Sequence, residues 1–237
     1  MKLALECPVN LLDQIQPFAD FDFILANFAK SDKAYAEYYK RSTNYKMLDN
    51  GVTETGEPLS LGDIESIAND LVVDHIVARD YIGDYEKTVA GYAESVKKFG
   101  AERVLGVLQG STPEEALKCH VVLEKACPAV LVPYHVGGSD RRKDPWLMTL
   151  KRALVISHLP TSRPIHLLGF TTLDEFQWYA GMSHVWAMDT DVPVKAGLAV
   201  QDLSVFDRAT KNVPTTLTKD SWAAVCRNIA LLRKYMA

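Results

Sequence analysis

Seven short apolar runs, each followed by a longer stretch with helical spacing, constrain the fold of this 237-residue chain more than any other feature. The runs are apolar on both faces, which is typical of parallel strands covered by helices. The predicted strands are residues 22–27, 45–49, 73–78, 103–109, 129–134, 165–170 and 184–189. The repeat therefore predicts an α/β fold with a parallel sheet.

Helical patterns lie between these runs, and several begin with a capping signal such as Thr112 before Pro113 and two glutamates. The predicted helices are residues 32–41, 61–71, 84–99, 112–126, 144–157 and 173–181, with a closing helix at 221–236. An eighth strand is predicted at residues 197–200. Repeated strand-helix units of this number predict a single-domain (β/α)8 TIM barrel over residues 1–237, with an open doubly wound sheet as the alternative.

Charge and composition narrow the classes of function. The net charge of −4 argues against strong non-specific attraction to nucleic acid, although residues 30–46 and 139–152 hold local clusters of lysine and arginine. No apolar stretch approaches the ~18 residues of a membrane helix, and the N-terminus has no basic flank before an apolar region, so we expect an untargeted cytoplasmic protein with no membrane partner. The four cysteines have no zinc-knuckle or disulfide-framework spacing.

Polar residues recur where the predicted strands end. In a (β/α)8 barrel these ends converge on one mouth, which carries the chemistry of such enzymes. The residues in question are Asp49, Asp80, Gln109, the pair Gly137 and Gly138, and Asp189. A single acid after a strand is commonly a turn former or helix cap, but the convergence of several on one rim favours a site.

Carboxyl groups that share a pocket repel one another, and burial raises their pKa values further, so one can be ionised while another holds a proton. That arrangement suits reaction at a sugar anomeric carbon, where one carboxylate captures the carbon and another carboxyl group moves protons. It also suits binding of a guanine-like edge, because a carboxylate accepts two adjacent N–H donors.

Several segments, kept in order from about residue 23 to residue 198, resemble motifs of one enzyme family. They are MLDNGVTETGEPLS at 47–60, DHIVARDYIGDYEKT at 74–88, GVLQGS at 106–111, VGGS at 136–139, RPIHLLGF at 163–170 and MDTDVPVKAGL at 188–198. On these motifs the chain resembles the tRNA-guanine transglycosylases and their DNA-modifying relatives, which exchange guanine for a 7-deazaguanine.

The resemblance implies a role for each strand-end residue. Asp189 stands at the nucleophile and Asp49 at the general acid/base. Asp80 stands where the guanine edge is read and Gln109 where the base carbonyl is contacted. The base pocket would be lined by Gly137, Gly138 and Leu168, and candidates for contacts with the substrate backbone are Lys46, Asp191, Lys195, Arg141 and Arg142. Because Thr53 replaces the family's stacking aromatic, Tyr81 or Phe170 is expected to supply that ring.

The resemblance also implies partners. No metal or cofactor is expected, since the zinc-binding subdomain of the tRNA enzymes has no counterpart in this sequence. This favours the compact DNA-modifying relatives, which occur in phages and bacterial modification clusters. DNA is therefore the favoured partner and tRNA the second, together with the free guanine or 7-deazaguanine base. A homodimer is possible, and the cytoplasm would be a host's if a phage encodes the chain.

Three alternatives stay open at the level of sequence. The chain resembles a tRNA-guanine transglycosylase as well as a DNA enzyme, and some members of the superfamily are partner subunits without catalysis. A metal-dependent hydrolase would use His75, His135, His166 or His184, but these lack an HxH or HExxH spacing and three of them lie inside predicted strands.

Overall fold

The computed structural model describes residues 1–124, 127–138, 144–170, 172–206, 210 and 212–237. Across these residues eight parallel strands form a nearly closed barrel that alternates with helices, which confirms the predicted (β/α)8 fold. The strands are β1 (Lys2–Leu5), β2 (Asp22–Ile24), β3 (Lys46–Leu48), β4 (His75–Val77), β5 (Val104–Val107), β6 (Val130–Pro133), β7 (Ile165–Leu168) and β8 (Val185–Thr190).

The helices cover the outside of the barrel, and many begin where the sequence offers a cap. The side chains of Asp32, Ser60, Asp84, Thr112, Asp144 and Thr218 each accept a backbone N–H of the first turn. The helices are α1 (Leu12–Ile15), α2 (Ala26–Ser31), α3 (Lys33–Arg41), α4 (Val52–Thr55), α5 (Leu61–Leu71), α6 (Tyr85–Phe99), α7 (Pro113–Leu123), α8 (Pro145–Ser157), α9 (Phe176–Tyr179), α10 (Val192–Leu198) and α11 (Lys219–Met236). None of these is both long and apolar enough to cross a bilayer.

The eighth strand lies at the N-terminus, so its prediction at residues 197–200 was wrong. Strand β1 pairs with β8 over four register positions, from Lys2 with Ala187 to Leu5 with Thr190. The segment predicted as a strand instead completes α10, which begins after Asp191 with Pro193 in its first turn. Gly197 lies so close to α11 that a Cβ there would fall 2.5 Å from Val225 Cα. Gly197 and buried Leu198 therefore belong to a helix packed on α11, while Val200 is exposed.

The barrel closes between β1 and β2 through a side chain. Leu3 N–H donates to Asp20 Oδ2 at 2.8 Å, and Asp20 N–H donates to Leu3 O at 2.7 Å. Arg233 of α11 donates to both carboxylate oxygens of Asp20, each at 3.1 Å. Asp20 thus links the first strand to the last helix.

The interior of the barrel is filled by aromatic and aliphatic side chains. The His166 ring of β7 stacks on Phe23 of β2, with centroids 5.5 Å apart. Ile165 pairs with Val185 but His166 pairs with Ala187, so Trp186 is the extra residue of a β-bulge. Trp186 stacks on Phe21 with centroids 5.7 Å apart. The bulge therefore adds a large ring to the packing around His166, which Phe21 also contacts edge-on.

Replacing Asp20 with alanine is expected to lower the free energy of unfolding by about 1 kcal/mol, because it removes a strand-closing hydrogen bond and a partly exposed ion pair. Burial raises the pKa of Asp20, but the hydrogen bonds from Arg233 and Leu3 outweigh it and the pKa lies below its usual value. The contribution is therefore present above the unfolded pKa and lost as the pH falls through the folded one.

Urea denaturation of wild type and Asp20→Ala at neutral and acidic pH measures this difference. Glu37→Ala, on the exposed face of α3, is the control and should change little. A difference for Asp20→Ala that does not shrink in acid would contradict the assignment.

Candidate active site

The strand ends bring the predicted acids together at the carboxyl-terminal mouth of the barrel. Asp49 follows β3 directly, Asp80 and Gln109 lie just beyond β4 and β5, and Asp189 lies inside β8. All four side chains are buried. The site is therefore a buried cluster of carboxyl and amide groups.

Asp80 and Gln109 belong to one hydrogen-bond network. Asn50 Nδ2 donates to Asp80 Oδ1 at 2.6 Å and to Ala78 O at 2.6 Å. Gln109 Nε2 donates to Asp80 Oδ2 at 2.5 Å, and Gly83 N–H donates to Gln109 Oε1 at 3.1 Å. The Gly83 contact fixes the orientation of the amide, and Gln109 Nε2 also lies 3.5 Å from His135 Nε2. Asp80 Oδ1 and Oδ2 each accept one of the two side-chain hydrogen bonds.

Asp49 sits beside this network. Its Oδ2 accepts Gly51 N–H at 2.8 Å, a turn that Gly51 makes with φ of +81°. Burial and the charges of Glu54 and Asp80 raise the pKa of Asp49 to about 8, against the backbone hydrogen bonds that favour its ionised form. Burial also raises the pKa of Asp80, to about 6, although Asn50 and Gln109 stabilise its charge. At neutral pH Asp49 therefore holds a proton while Asp80 is largely ionised.

Asp189 lies between two side chains of the neighbouring strands. Its Oδ1 is 2.7 Å from His166 Nε2 on β7. On the other side lies Glu6, which follows β1 and which the register of β1 with β8 brings next to Asp189; the Asp189 carboxylate contributes to raising the pKa of Glu6. Glu6 and His166 were not among the predicted site residues.

The glycine pair after β6 packs against the loop after β5. Gly137 and Gly138 have φ of +77° and +71°, and a Cβ on Gly138 would fall 2.1 Å from Ser111 O. Lys151 Nζ donates to Gly138 O. Only glycine fits this approach, so the backbone of the pair forms a wall beside Gln109.

Leu168 lies at the mouth end of β7, opposite Asp189 in register. Behind it, buried Arg152 donates to Gly169 O at 2.9 Å and lies 3.3 Å from Glu175. Phe170 was predicted as a possible stacking ring, but it is buried against Phe176 in the core between sheet and helices. Of the two predicted rings, that leaves Tyr81, which is half-buried and has the Arg79 guanidinium 5.8 Å from its centroid.

The predicted contacts with the substrate backbone have three outcomes. Lys46 was wrongly placed at the mouth, because it begins β3 at the opposite end of the barrel and its buried Nζ donates to Leu71 O at 2.9 Å. Lys195 and Asp191 form an ion pair at the start of α10, beside Asp189. Arg141 and Arg142 lie outside the described residues.

A cavity of about 440 Å³ opens at the sector of the mouth between β1, β2 and β8. Glu6 and Asp191 lie on its polar side, and Leu25, Phe28 and Tyr35 belong to its apolar wall. A ligand that reaches Asp189 therefore has space next to the carboxyl cluster.

Over the described ranges, no three His, Cys, Asp or Glu side chains are grouped to hold a metal ion. The histidines of the hydrolase alternative are separated: His75 Nδ1 is 2.9 Å from the Tyr45 hydroxyl, while His166 pairs with Asp189. What the mouth does offer chemically is proton transfer, carboxylate attack and recognition of N–H donors.

Replacing Asp49 with asparagine is expected to raise the free energy of unfolding relative to wild type, and more at pH 8 than at pH 5. An acid whose folded pKa lies above its unfolded pKa of ~3.9 binds its proton more tightly when folded, so wild-type stability falls as the pH rises between the two values. Between pH 5 and pH 8 the gain grows by about 4 kcal/mol. Asp70→Asn, on an exposed acid of α5, is the matched control in urea denaturation, and a pH-independent difference for Asp49→Asn would contradict the raised pKa.

No protein-family model matches the chain, and no curated protein matches it at a significant level. The arrangement of the mouth itself therefore carries the functional argument.

Proposed function

We propose that this chain is a base-exchange transglycosylase that replaces guanine in a polynucleotide, DNA in preference to tRNA, with a 7-deazaguanine through a covalent aspartate-sugar intermediate. The observation that supports the proposal is that three buried carboxyl groups at one mouth have three different environments. One is protonated at neutral pH, one is held by two amide donors, and one stands apart between β7 and β1.

Asp80 and Gln109 suit the recognition of guanine. Asp80 accepts N1–H and the exocyclic amine through lone pairs that Asn50 and Gln109 do not use, while Gln109 Nε2 exchanges its 3.5 Å contact with His135 Nε2 for the base carbonyl. Adenine presents the opposite pattern at these positions. The network with Asn50 and Gly83 fixes both groups before the base arrives, which lowers the cost of ordering on binding.

Asp189 suits the role of nucleophile. Its carboxylate attacks C1′ of an extruded nucleotide, a C1′–O bond forms, and the C1′–N9 bond breaks with its electron pair on the departing guanine. Asp49 gives its proton to that guanine and becomes a carboxylate. The incoming 7-deazaguanine then loses its N9 proton to Asp49, attacks C1′ and displaces Asp189, which restores both groups.

Exchange of radiolabelled guanine into duplex DNA, single-stranded DNA and bulk tRNA tests the proposal. Wild type is expected to label DNA, and Asp189→Asn to lose at least about 10³-fold in rate because an amide is a poor nucleophile. Asp70→Asn is the matched control and should retain full rate.

The substrates separate the alternatives. Label in tRNA alone would make the chain a tRNA-guanine transglycosylase. An absence of label from all three would refute independent catalysis and favour the role of a non-catalytic partner subunit. Turnover retained by Asp189→Asn would refute the nucleophile.

Replacing Asp80 with asparagine is expected to weaken guanine binding by roughly 10- to 100-fold, because the amide places a donor against the donors of Asn50, Gln109 or the base and costs about 1–3 kcal/mol. Isothermal titration of guanine into wild type, Asp80→Asn and Asp70→Asn measures the change. An affinity unchanged in Asp80→Asn would remove Asp80 from the base pocket.

A further inference from the structure

Asp189 is the centre of a three-member chain of side chains that crosses three adjacent strands. His166 of β7 contacts it from one side and Glu6, after β1, from the other. We propose that His166 and Glu6 are positioning residues that aim Asp189 at the sugar and donate to its oxygens when it is released as a leaving group. The catalytic role of these two residues rests on the proposed function. The hydrogen bonds that they form with Asp189 do not depend on it.

His166 is held in one orientation and one tautomer. The ring is fully buried, stacked on Phe23 and contacted edge-on by Phe21. Its Nδ1 has no hydrogen-bond partner among the described residues. A proton on Nδ1 would be buried and unpaired, which costs about 1–3 kcal/mol, so the single proton of a neutral ring belongs on Nε2. His166 is therefore a fixed donor to Asp189 Oδ1.

Glu6 reaches Asp189 because of the register between β1 and β8. Ala4 lies opposite Asp189, and Glu6 lies two residues further on, where its side chain falls on the same face. Its backbone N–H donates to Thr190 O at 3.0 Å, which continues the ladder past the end of β1. The position of Glu6 is therefore set by strand pairing.

The groups around Glu6 favour its protonated form. Burial raises the pKa of Glu6 well above its usual range, and the charges of Asp189, Asp191 and Glu54 raise it further. Tyr35 and Cys7 also face it, and Lys195 is paired with Asp191. Since Asp189 is an acceptor, the proton of Glu6 lies in their shared hydrogen bond.

These two donors act at the second chemical step. When 7-deazaguanine attacks C1′, the C1′–O bond to Asp189 breaks and its electron pair returns to the carboxylate. His166 and Glu6 then donate to the oxygens that carry the returning charge, and neither proton leaves its own residue. Donors in place before charge develops need no reorganisation, which is the most effective form of such stabilisation.

Nuclear magnetic resonance tests the hydrogen bonds without any assay of exchange. In ¹⁵N spectra His166 is expected to carry a proton on Nε2, with its signals assigned by their loss in His166→Gln. In ¹³C spectra the pKa of Glu6 is expected to fall in Asp189→Asn, where the neighbouring charge is gone, and Glu6→Gln assigns its signal. An Nδ1–H tautomer, or a Glu6 titration identical in wild type and Asp189→Asn, would overturn the proposal.

Exchange kinetics then test the role in catalysis. His166→Phe and Glu6→Ala remove the donors and are expected to lower kcat by at least about 10-fold with little change in KM for guanine. His166→Gln and Glu6→Gln keep an N–H donor and should recover most of the loss. Equal losses in the donor-keeping and donor-removing variants, in proteins of wild-type stability, would refute positioning.

The pH dependence of kcat distinguishes Glu6 from Asp49. Asp49, whose pKa is raised to about 8, gives its own fall in kcat at alkaline pH. The ratio of kcat for Glu6→Gln to that for wild type is expected to rise with pH, because only wild type loses its donor and gains a second negative charge beside Asp189. A ratio independent of pH would overturn the titrating role of Glu6. If wild type exchanges no base on any substrate, the proposed function fails, and the resonance experiment still decides the hydrogen bonds.

Discussion

The parallel ladders on both sides of β8 are the constraint on which the candidate site depends. They set Leu168 opposite Asp189 on one side and Ala4 opposite it on the other. A slip of one residue turns inward side chains outward, so a slip between β7 and β8 would move His166 away from Asp189 and a slip between β1 and β8 would move Glu6 away from it. The bulge at Trp186 shifts the register between β7 and β8 before it reaches Asp189, so the final alignment includes that irregularity.

Electrostatics at the mouth follows from burying many carboxyl groups in one place. Glu6, Asp49 and Asp80 all have raised pKa values, with burial as the largest cause in each. They differ in their partners: Asp80 has two side-chain amide donors, Asp49 has backbone donors, and Glu6 faces other acids. The order of their proton affinities is thus fixed by the hydrogen bonds that each strand end supplies, and like charges around them enlarge the differences.

Local signals in the sequence predicted most of the fold. Helix α5 was predicted to the residue because Ser60 caps it and its apolar spacing ends at Leu71. The acids at strand ends were found because parallel strands share one carboxyl end. Strand β1 was missed because four residues next to the N-terminus carry too short a pattern, and Glu6 was missed with it. The apolar composition of residues 197–200 did not distinguish the end of α10 from a strand, because either element would be largely buried.

Long-range contacts account for the remaining errors. Lys46 was predicted to lie at the mouth. It is the first residue of β3, whereas the mouth lies beyond the last residue of that strand, so Lys46 lies at the opposite end of the barrel. His166 was read as structural because a histidine inside an apolar run gives no sign of its partner, 23 residues away on the next strand. Phe170 follows β7 as closely as Asp80 follows β4, but the turn at Gly169, with φ of +63°, directs the chain toward the outer core.

The two sides of the mouth differ in how many hydrogen bonds and close contacts fix their side chains. On the side of β4 to β6, Asp80 and Gln109 are hydrogen-bonded to each other and to backbone, and Gly138 packs tightly against Ser111. On the side of β1, β2 and β8, an open cavity lies next to Glu6 and Asp191. A rigid side suits selection of a base by a fixed pattern of donors and acceptors, whereas an open side suits a polymer whose sugar must approach Asp189. The register that fixes Asp189 therefore also places it at the boundary between these two sides.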